Sequence, residues 1–203
     1  SKVMGKDVTV AEVMKTVKRD LPYYRRSGGG ITLSGGECLL QPEFSVGLLR
    51  AAKDIGISTA IESMAFAKYE IIEQFLPYLD TYLMDIKHID DLGHKKLTMW
   101  SNKSILEMTE YLSEIRKPAW IRHVLVPERS DYDEYLIRLG DYIASLKNVQ
   151  KVEILPYHKM GVYKYEALGI PYKLEGIESP THERVMNARK LLRCDEYNGY
   201  LNV

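Results

Sequence analysis

Residues 30–37, with the sequence Gly30-Ile31-Thr32-Leu33-Ser34-Gly35-Gly36-Glu37, join a short β-branched run to a polar turn. A short apolar run of this kind, bounded by turn residues, is typical of a buried β-strand. The two adjacent glycines allow positive φ angles and let a ligand approach the backbone closely. This stretch therefore predicts a strand that ends in a backbone-lined pocket for a small polar group.

The same pattern recurs along the chain: apolar runs alternate with segments of helical period, without a low-complexity linker. This alternation predicts one α/β domain. The capping box of Thr9 and Glu12 begins a helix that we expect to end at Pro22, and Ser179-Pro180 caps the last predicted helix. The segments after the third and fifth strands are predicted to lack regular structure. The predicted strands are 30–34, 57–62, 81–86, 120–126 and 151–155.

Composition excludes several classes of function. The 203 residues include 28 Lys plus Arg and 28 Asp plus Glu, so no broad basic field is available for nucleic acid. No apolar run is long enough for a membrane span. The two cysteines, Cys38 and Cys194, match no zinc or disulfide spacing, which favours a reducing compartment. We therefore expect a cytoplasmic protein with neither a nucleic-acid nor a membrane partner.

Polar residues follow each predicted strand. Ligands of parallel α/β sheets bind at the carboxyl ends of the strands, so these residues predict a site at one rim. The alternative is that polar residues simply begin loops. The residues concerned are Ser34-Gly35-Gly36-Glu37, Glu62-Ser63, Asp85-Ile86-Lys87-His88, Arg122 and Tyr157-His158.

Charged residues within or beside the strands predict the chemistry of this rim. Asp85 and Lys87 are two residues apart and share a strand face, where together they could hold a zwitterion or form a structural ion pair. Glu62 could join Asp85 around a hard cation, or be an ordinary loop carboxylate. Arg122 offers a bidentate donor. His158 could donate to a ligand, although a lone histidine is more often structural.

In combination, these motifs resemble the activating enzymes of glycyl radical enzymes, the pyruvate formate-lyase activating enzyme group of the radical S-adenosylmethionine superfamily. The resemblance covers nearly the whole chain. It rests on residues 24–37, Leu39-Leu40-Gln41-Pro42, Leu83-Met84-Asp85-Ile86-Lys87-His88, residues 121–127 and residues 155–161.

The resemblance implies an α/β fold, a partial TIM-like (β/α)6 barrel with about five of the six units present in this chain. S-adenosylmethionine would lie across the strand ends. The resemblance implies that its amino group is bound by Gly35, Gly36 and Glu37. It implies that its carboxylate and ribose are held by Lys87, Arg122 and His158. A monovalent cation site would consist of Asp85, Glu62 and Ser63.

The resemblance also implies the activity and the partners. A 4Fe-4S cluster would reduce S-adenosylmethionine, and the resulting 5'-deoxyadenosyl radical would take a hydrogen atom from a backbone glycine of a partner enzyme. The partner would be pyruvate formate-lyase or a related glycyl radical enzyme, and the electron donor a flavodoxin or ferredoxin.

Several residues depart from the family pattern. The C-x-x-x-C-x-x-C motif that ligates the cluster is absent from the sequence, and two isolated cysteines cannot replace three thiolates. We therefore expect residues 1–203 to be a single barrel domain that lacks the first strand, the cluster loop and a ferredoxin-like insert, and to be inactive alone. Cys38 replaces the usual proline, and Met99-Trp100 replaces a glycine.

Two other functions remain open from the sequence. A lysine on a barrel strand near a carboxylate is what a Schiff-base aldolase would use, and Lys87 fits that description. The chain could also be a noncatalytic module that binds S-adenosylmethionine.

Overall fold

The computed structural model describes residues 5–197. The chain divides into two compact units, Ser1–Leu83 and Met84–Val203, with the boundary inside the third strand. Five parallel strands alternate with helices, in the order β1-β2-β3-β4-β5. This arrangement confirms the α/β class and is consistent with a partial TIM-like barrel. That residues 1–203 form a single domain stays a prediction.

The first unit contains two full strands and the start of a third. Strand β1 (Gly30–Leu33) pairs in parallel with β2 (Ser58–Ser63), and β3 spans Thr81–Asp85. A Cβ at Gly30 would lie 1.7 Å from the Ser58 carbonyl oxygen, so the pairing of β1 with β2 requires glycine there. The helices of this unit are α1 (Val10–Val17), α2 (Leu21–Ser27), α3 (Pro42–Asp54) and α4 (Tyr69–Phe75).

The first helix begins as predicted, because the Thr9 side chain accepts a hydrogen bond from the Glu12 N–H and Glu12 bonds back to the Thr9 N–H. The role expected of Pro22 is wrong. Pro22 lies in the first turn of α2, after a short 3-10 turn. Proline is tolerated there because a first-turn N–H has no partner within the helix.

The second unit is built around β4 (Ala119–Leu125) and β5 (Val149–Pro156), which are parallel with Arg122 opposite Glu153. Buried residues alternate along β4, as expected for a strand with one face covered. The helices of this unit are α5 (Asp91–Thr98), α6 (Lys103–Glu114), α7 (Asp133–Ser145), α8 (Val162–Leu168) and α9 (His182–Leu191).

Three local predictions are wrong in this unit. Helices α5 and α8 occupy the segments predicted to be irregular. Helix α5 has few apolar residues to show a period, but the Asp90 side chain caps it by accepting from the Gly93 N–H. The cap of α9 is Thr181 rather than Ser179-Pro180, because the Thr181 hydroxyl accepts from the Arg184 N–H. Within residues 5–197, no helix is both long and apolar enough to cross a membrane.

Candidate functional site

In the first unit, the turn after β1 exposes its backbone. Gly35 has a φ of +112°, a conformation that side chains rarely adopt. Among the described residues, no heavy atom lies within 4 Å of a Cβ built at Gly35 or Gly36. The Glu37 carboxylate lies over the following 3-10 turn, where its Oε1 accepts a hydrogen bond from the Leu39 N–H at 3.1 Å. The Glu37 side chain thus supports the turn, while the glycine backbone remains open to a ligand.

A cavity of about 470 Å³ lies beside this turn, and its lining includes Ser34, Gly36 and Cys38. Burial raises the pKa of the Cys38 thiol to about 12, and the Glu37 carboxylate adds to this effect. The Cys38 Sγ lies 3.8 Å from Glu37 Oε1 and 3.9 Å from the Glu62 carbonyl oxygen. Cys38 therefore behaves as a packed, protonated thiol.

The end of β2 carries the other candidate ligands of this unit. Glu62 is half-buried, whereas Ser63 faces the opposite side and is buried. The Ser63 Oγ accepts a hydrogen bond from the Ala65 N–H at 2.9 Å, which holds Ala65 at a positive φ of 55°. The Ser63 hydroxyl thus takes part in a tight turn.

In the second unit, three charged side chains lie together. Lys87 Nζ is 3.2 Å from Asp85 Oδ2, and Arg122 Nε is 3.7 Å from Asp85 Oδ1. The side chains of Asp85 and Arg122 are only 15% and 16% exposed. Buried Asp85 Oδ1 has no hydrogen-bond donor among the described residues. Two cations therefore lie beside one carboxylate in this cluster.

His158 lies in a different setting. Its ring is exposed, and its Nδ1 accepts from the Met160 N–H at 3.4 Å, in a 3-10 turn that follows β5. The preceding Tyr157 is buried, and its hydroxyl lies 2.7 Å from the Tyr172 hydroxyl. The turn is therefore anchored through Tyr157, and the His158 ring remains available to a ligand.

His123 is a residue that the sequence analysis did not single out. It is buried in β4, and its Nδ1 lies 2.8 Å from the Ile86 carbonyl oxygen. The Ile86 N–H in turn donates to the Arg122 carbonyl oxygen at 3.0 Å. The available signal was a histidine at a position where strand alternation predicts an apolar residue.

S-adenosylmethionine and a 4Fe-4S cluster require different groups from the protein. An amino-acid carboxylate fits here, because Lys87 and Arg122 beside Asp85 are charged hydrogen-bond donors. A 4Fe-4S cluster does not fit, because no three His, Cys, Asp or Glu residues between 5 and 197 gather in a metal-binding arrangement. Burial also raises the pKa of Cys194, to about 11. Cluster ligation requires thiolates, which these two cysteines do not readily supply.

Comparison with protein families and curated proteins gives consistent results. Residues 2–140 match the Radical SAM superfamily. The chain is 48% identical over 198 residues to the pyruvate formate-lyase-activating enzyme of Streptococcus mutans, covering 95% of this chain and 75% of that protein. It is 42% identical to the protein of the same name from Clostridium pasteurianum, covering 93% of this chain and 79% of the relative.

Solved structures share the fold. A domain of the pyruvate-formate lyase-activating enzyme from Bacteroides vulgatus aligns with a TM-score of 0.68 at 24% identity, over 81% of this chain and 93% of that domain. Streptococcus suis SuiB bound to its precursor peptide aligns with a TM-score of 0.66 at 16% identity, over 80% of this chain and 36% of SuiB.

Proposed function

Because this chain belongs to the pyruvate formate-lyase-activating enzymes of the Radical SAM superfamily, we propose that it acts in the reductive cleavage of S-adenosylmethionine to generate a glycyl radical on a partner enzyme. The observation that carries this proposal is the cluster of Asp85, Lys87 and Arg122, in which one buried carboxylate oxygen has no donor among the described residues. A charged cluster with this opening is suited to an amino-acid ligand.

The second unit would bind the carboxylate of S-adenosylmethionine. Lys87 and Arg122 donate to it, and Asp85 keeps the two cations close together without cancelling both charges. Such charge-assisted hydrogen bonds are shorter and stronger than those between neutral groups. His158 would donate to a ribose hydroxyl from its exposed turn.

The first unit would bind the amino group. An ammonium group has donors only, so the backbone carbonyl oxygens of Gly35 and Gly36 would accept from it. Glu37 supports this turn through its bond to Leu39 and adds negative charge nearby.

We include a monovalent cation in the proposal. Its oxygen ligands would be the carboxylates of Glu62 and Asp85, with the backbone carbonyl oxygen of Ser63, because the Ser63 hydroxyl faces the other side of β2 and bonds to Ala65. The support for this assignment is chemical, because hard cations prefer oxygen ligands.

The electron for cleavage comes from a 4Fe-4S cluster in the Radical SAM superfamily. The cysteines of this chain do not fit that cluster, so we assign no step to them. The further elements of the proposal are a flavodoxin or ferredoxin as electron donor, a cytoplasmic location and a single barrel domain over residues 1–203.

Binding measurements on this chain test the proposal. We expect the dissociation constant for S-adenosylmethionine, measured by calorimetry, to rise about tenfold or more in Lys87→Ala, because a hydrogen bond to a charged group contributes about 1.5–3 kcal/mol. Lys173→Ala, at an exposed lysine in a loop of the same unit, is the matched control and should bind as the wild type does.

Catalysis needs the cluster, so a second measurement uses a protein that joins this chain to a C-x-x-x-C-x-x-C segment. Under reducing conditions it should release 5'-deoxyadenosine and produce a glycyl radical signal on pyruvate formate-lyase. Binding without cleavage would instead favour a noncatalytic module. A borohydride-trapped carbonyl adduct at Lys87 would favour an aldolase.

A further inference from the structure

His123 lies on the buried face of β4, in the row formed by Ala119, Ile121 and Leu125. The neighbouring Arg122 points to the opposite face, because successive side chains of a strand alternate. The His123 side chain is therefore placed on the face opposite Arg122, and its hydrogen bonds reach the charged cluster through the backbone.

Both ring nitrogens of His123 face backbone carbonyl oxygens. Nδ1 lies 2.8 Å from the oxygen of Ile86, and Nε2 lies 3.3 Å from the oxygen of Ser130. Burial lowers the pKa of His123, which favours the neutral ring with a single N–H. Since a carbonyl oxygen can only accept, the shorter contact places this proton on Nδ1, which donates to Ile86.

The residue that accepts this bond, Ile86, lies between two residues of the proposed site. Ile86 follows Asp85 and precedes Lys87, at the point where β3 ends. Its N–H donates to the Arg122 carbonyl oxygen at 3.0 Å, and its carbonyl oxygen accepts from His123. Two adjacent residues of β4 thus hold the backbone of Ile86 at both of its peptide groups, Asp85–Ile86 and Ile86–Lys87, and the second bond comes from a side chain.

The other side of the ring is also fixed. Ser130 is buried, its hydroxyl donates to the Val124 carbonyl oxygen at 2.7 Å, and it accepts from the Val126 N–H at 2.9 Å. The carbonyl that faces Nε2 therefore belongs to a loop that is bonded to the end of β4. A ring enclosed in this way has little freedom to turn away from Ile86.

We propose that His123 is a positioning residue, which fixes the Ile86 peptide so that Asp85 and Lys87 on one strand and Arg122 on the next hold their mutual geometry for S-adenosylmethionine. This inference deepens the proposed function and rests on it. His123 itself does not touch the ligand. The expected consequence of losing the Nδ1 bond is a misplaced Lys87 ammonium, and therefore weaker binding of the carboxylate.

Two substitutions separate this role from simple packing. His123→Asn keeps a donor close to the position of Nδ1, whereas His123→Phe keeps a planar ring without a donor. His94→Phe is the matched control, because His94 is also buried and its Nδ1 lies 2.8 Å from a backbone carbonyl oxygen, that of Trp100. That bond lies in the α5–α6 connection and is not part of the proposed site.

The first measurement is the dissociation constant for S-adenosylmethionine, by calorimetry on each folded variant. We expect His123→Phe to bind S-adenosylmethionine about tenfold more weakly than His94→Phe, because the hydrogen bond that orients Ile86 is lost. His123→Asn should recover most of this affinity. Equal binding by the two Phe variants would overturn the proposal, and so would a failure of His123→Asn to recover affinity.

The second measurement needs no ligand and separates this inference from the proposed function. Amide hydrogen exchange of the Ile86 N–H should be faster in His123→Phe than in His94→Phe or His123→Asn. If the wild-type chain does not bind S-adenosylmethionine, the proposed function fails for this chain, and the exchange rates alone decide whether His123 fixes Ile86. Equal exchange rates in all three variants would show that it does not.

Discussion

Asp85 is the residue whose surroundings say most about the proposed ligand. Its Oδ2 contacts Lys87 at 3.2 Å, while Oδ1 is buried and lacks a hydrogen-bond donor among the described residues. A buried acceptor of this kind costs free energy, and proteins commonly retain such groups at functional sites. In the proposed function, Lys87 and Arg122 beside this residue would bind the carboxylate of the ligand.

Met99 has a backbone conformation that favours glycine. It ends α5 in the left-handed conformation, with a φ of 72°, and the residue is 70% exposed. Glycine adopts this conformation without a steric penalty, and the exposed side chain has little packing to lose.

Met99→Gly should therefore raise the free energy of unfolding by about 0.5–1 kcal/mol. Urea denaturation would measure this change. Met99→Ala keeps the Cβ and should bring no such gain. Equal stabilisation by both substitutions would contradict the assigned cause.

At the scale of secondary structure elements, helices α7 and α9 approach closely at Gly140. A Cβ at this position would lie 2.5 Å from the Leu191 carbonyl oxygen, which is backbone and cannot rotate away. Glycine in the middle of a helix normally costs helical propensity, so its presence here is explained by packing.

Gly140→Ala should destabilise the protein by about 1–3 kcal/mol, despite the better helical propensity of alanine, because the helices would have to separate. Thermal unfolding would show this as a lower midpoint. Gly47→Ala in α3 is the comparison, since its Cβ would meet only a Val10 methyl group at 3.1 Å. A larger loss at Gly47 than at Gly140 would refute this explanation.

The connection between α5 and α6 depends on Asp91. Its carboxylate accepts from Lys95 at 2.6 Å and from the Ser101 hydroxyl at 2.6 Å, and it also accepts from the Asn102 N–H that precedes α6. The bonds from Lys95 and then Ser101 lower the pKa of Asp91 from 3.8 to about 2.

A carboxylate with a lowered pKa in the folded state stabilises the protein above its unfolded pKa, and this contribution disappears as the pH falls through the folded value. Stability should therefore decrease between pH 3.8 and about 2 in part through Asp91. Asp91→Asn should reduce the slope of unfolding free energy against pH in this window, and Ser101→Ala should reduce it by less. An unchanged slope in Asp91→Asn would rule out this contribution.

At the scale of the whole molecule, the chain contains two cysteines, whereas a 4Fe-4S cluster in this superfamily needs three thiolates. Burial raises the pKa of both, to about 12 for Cys38 and about 11 for Cys194. Both thiols are therefore poor metal ligands at neutral pH.

After anaerobic treatment with iron and sulfide followed by desalting, this chain should retain no more iron than its Cys38→Ala/Cys194→Ala double variant. The absorbance characteristic of an iron–sulfur cluster should be absent from both. Iron that is bound by the wild type and lost from the double variant would show that these cysteines ligate a metal after all.

The amino-acid sequence by itself determined the alternation of strands and helices, the shared face of Asp85 and Lys87, and the open turn at Gly35-Gly36. These features depend on local periodicity and on backbone conformations that few residues adopt. The sequence did not predict helix α5, because its few apolar residues show no helical period, or helix α8, because its seven residues are too few to establish one.

Only the tertiary structure determined which backbone groups the His123 ring contacts. Its partners, Ile86 and Ser130, are 37 and seven residues away along the chain. Which carbonyl oxygen a buried side chain meets depends on the register between strands and on the path of the following loop. No local pattern specifies these, because they arise from the packing of segments that are distant in sequence.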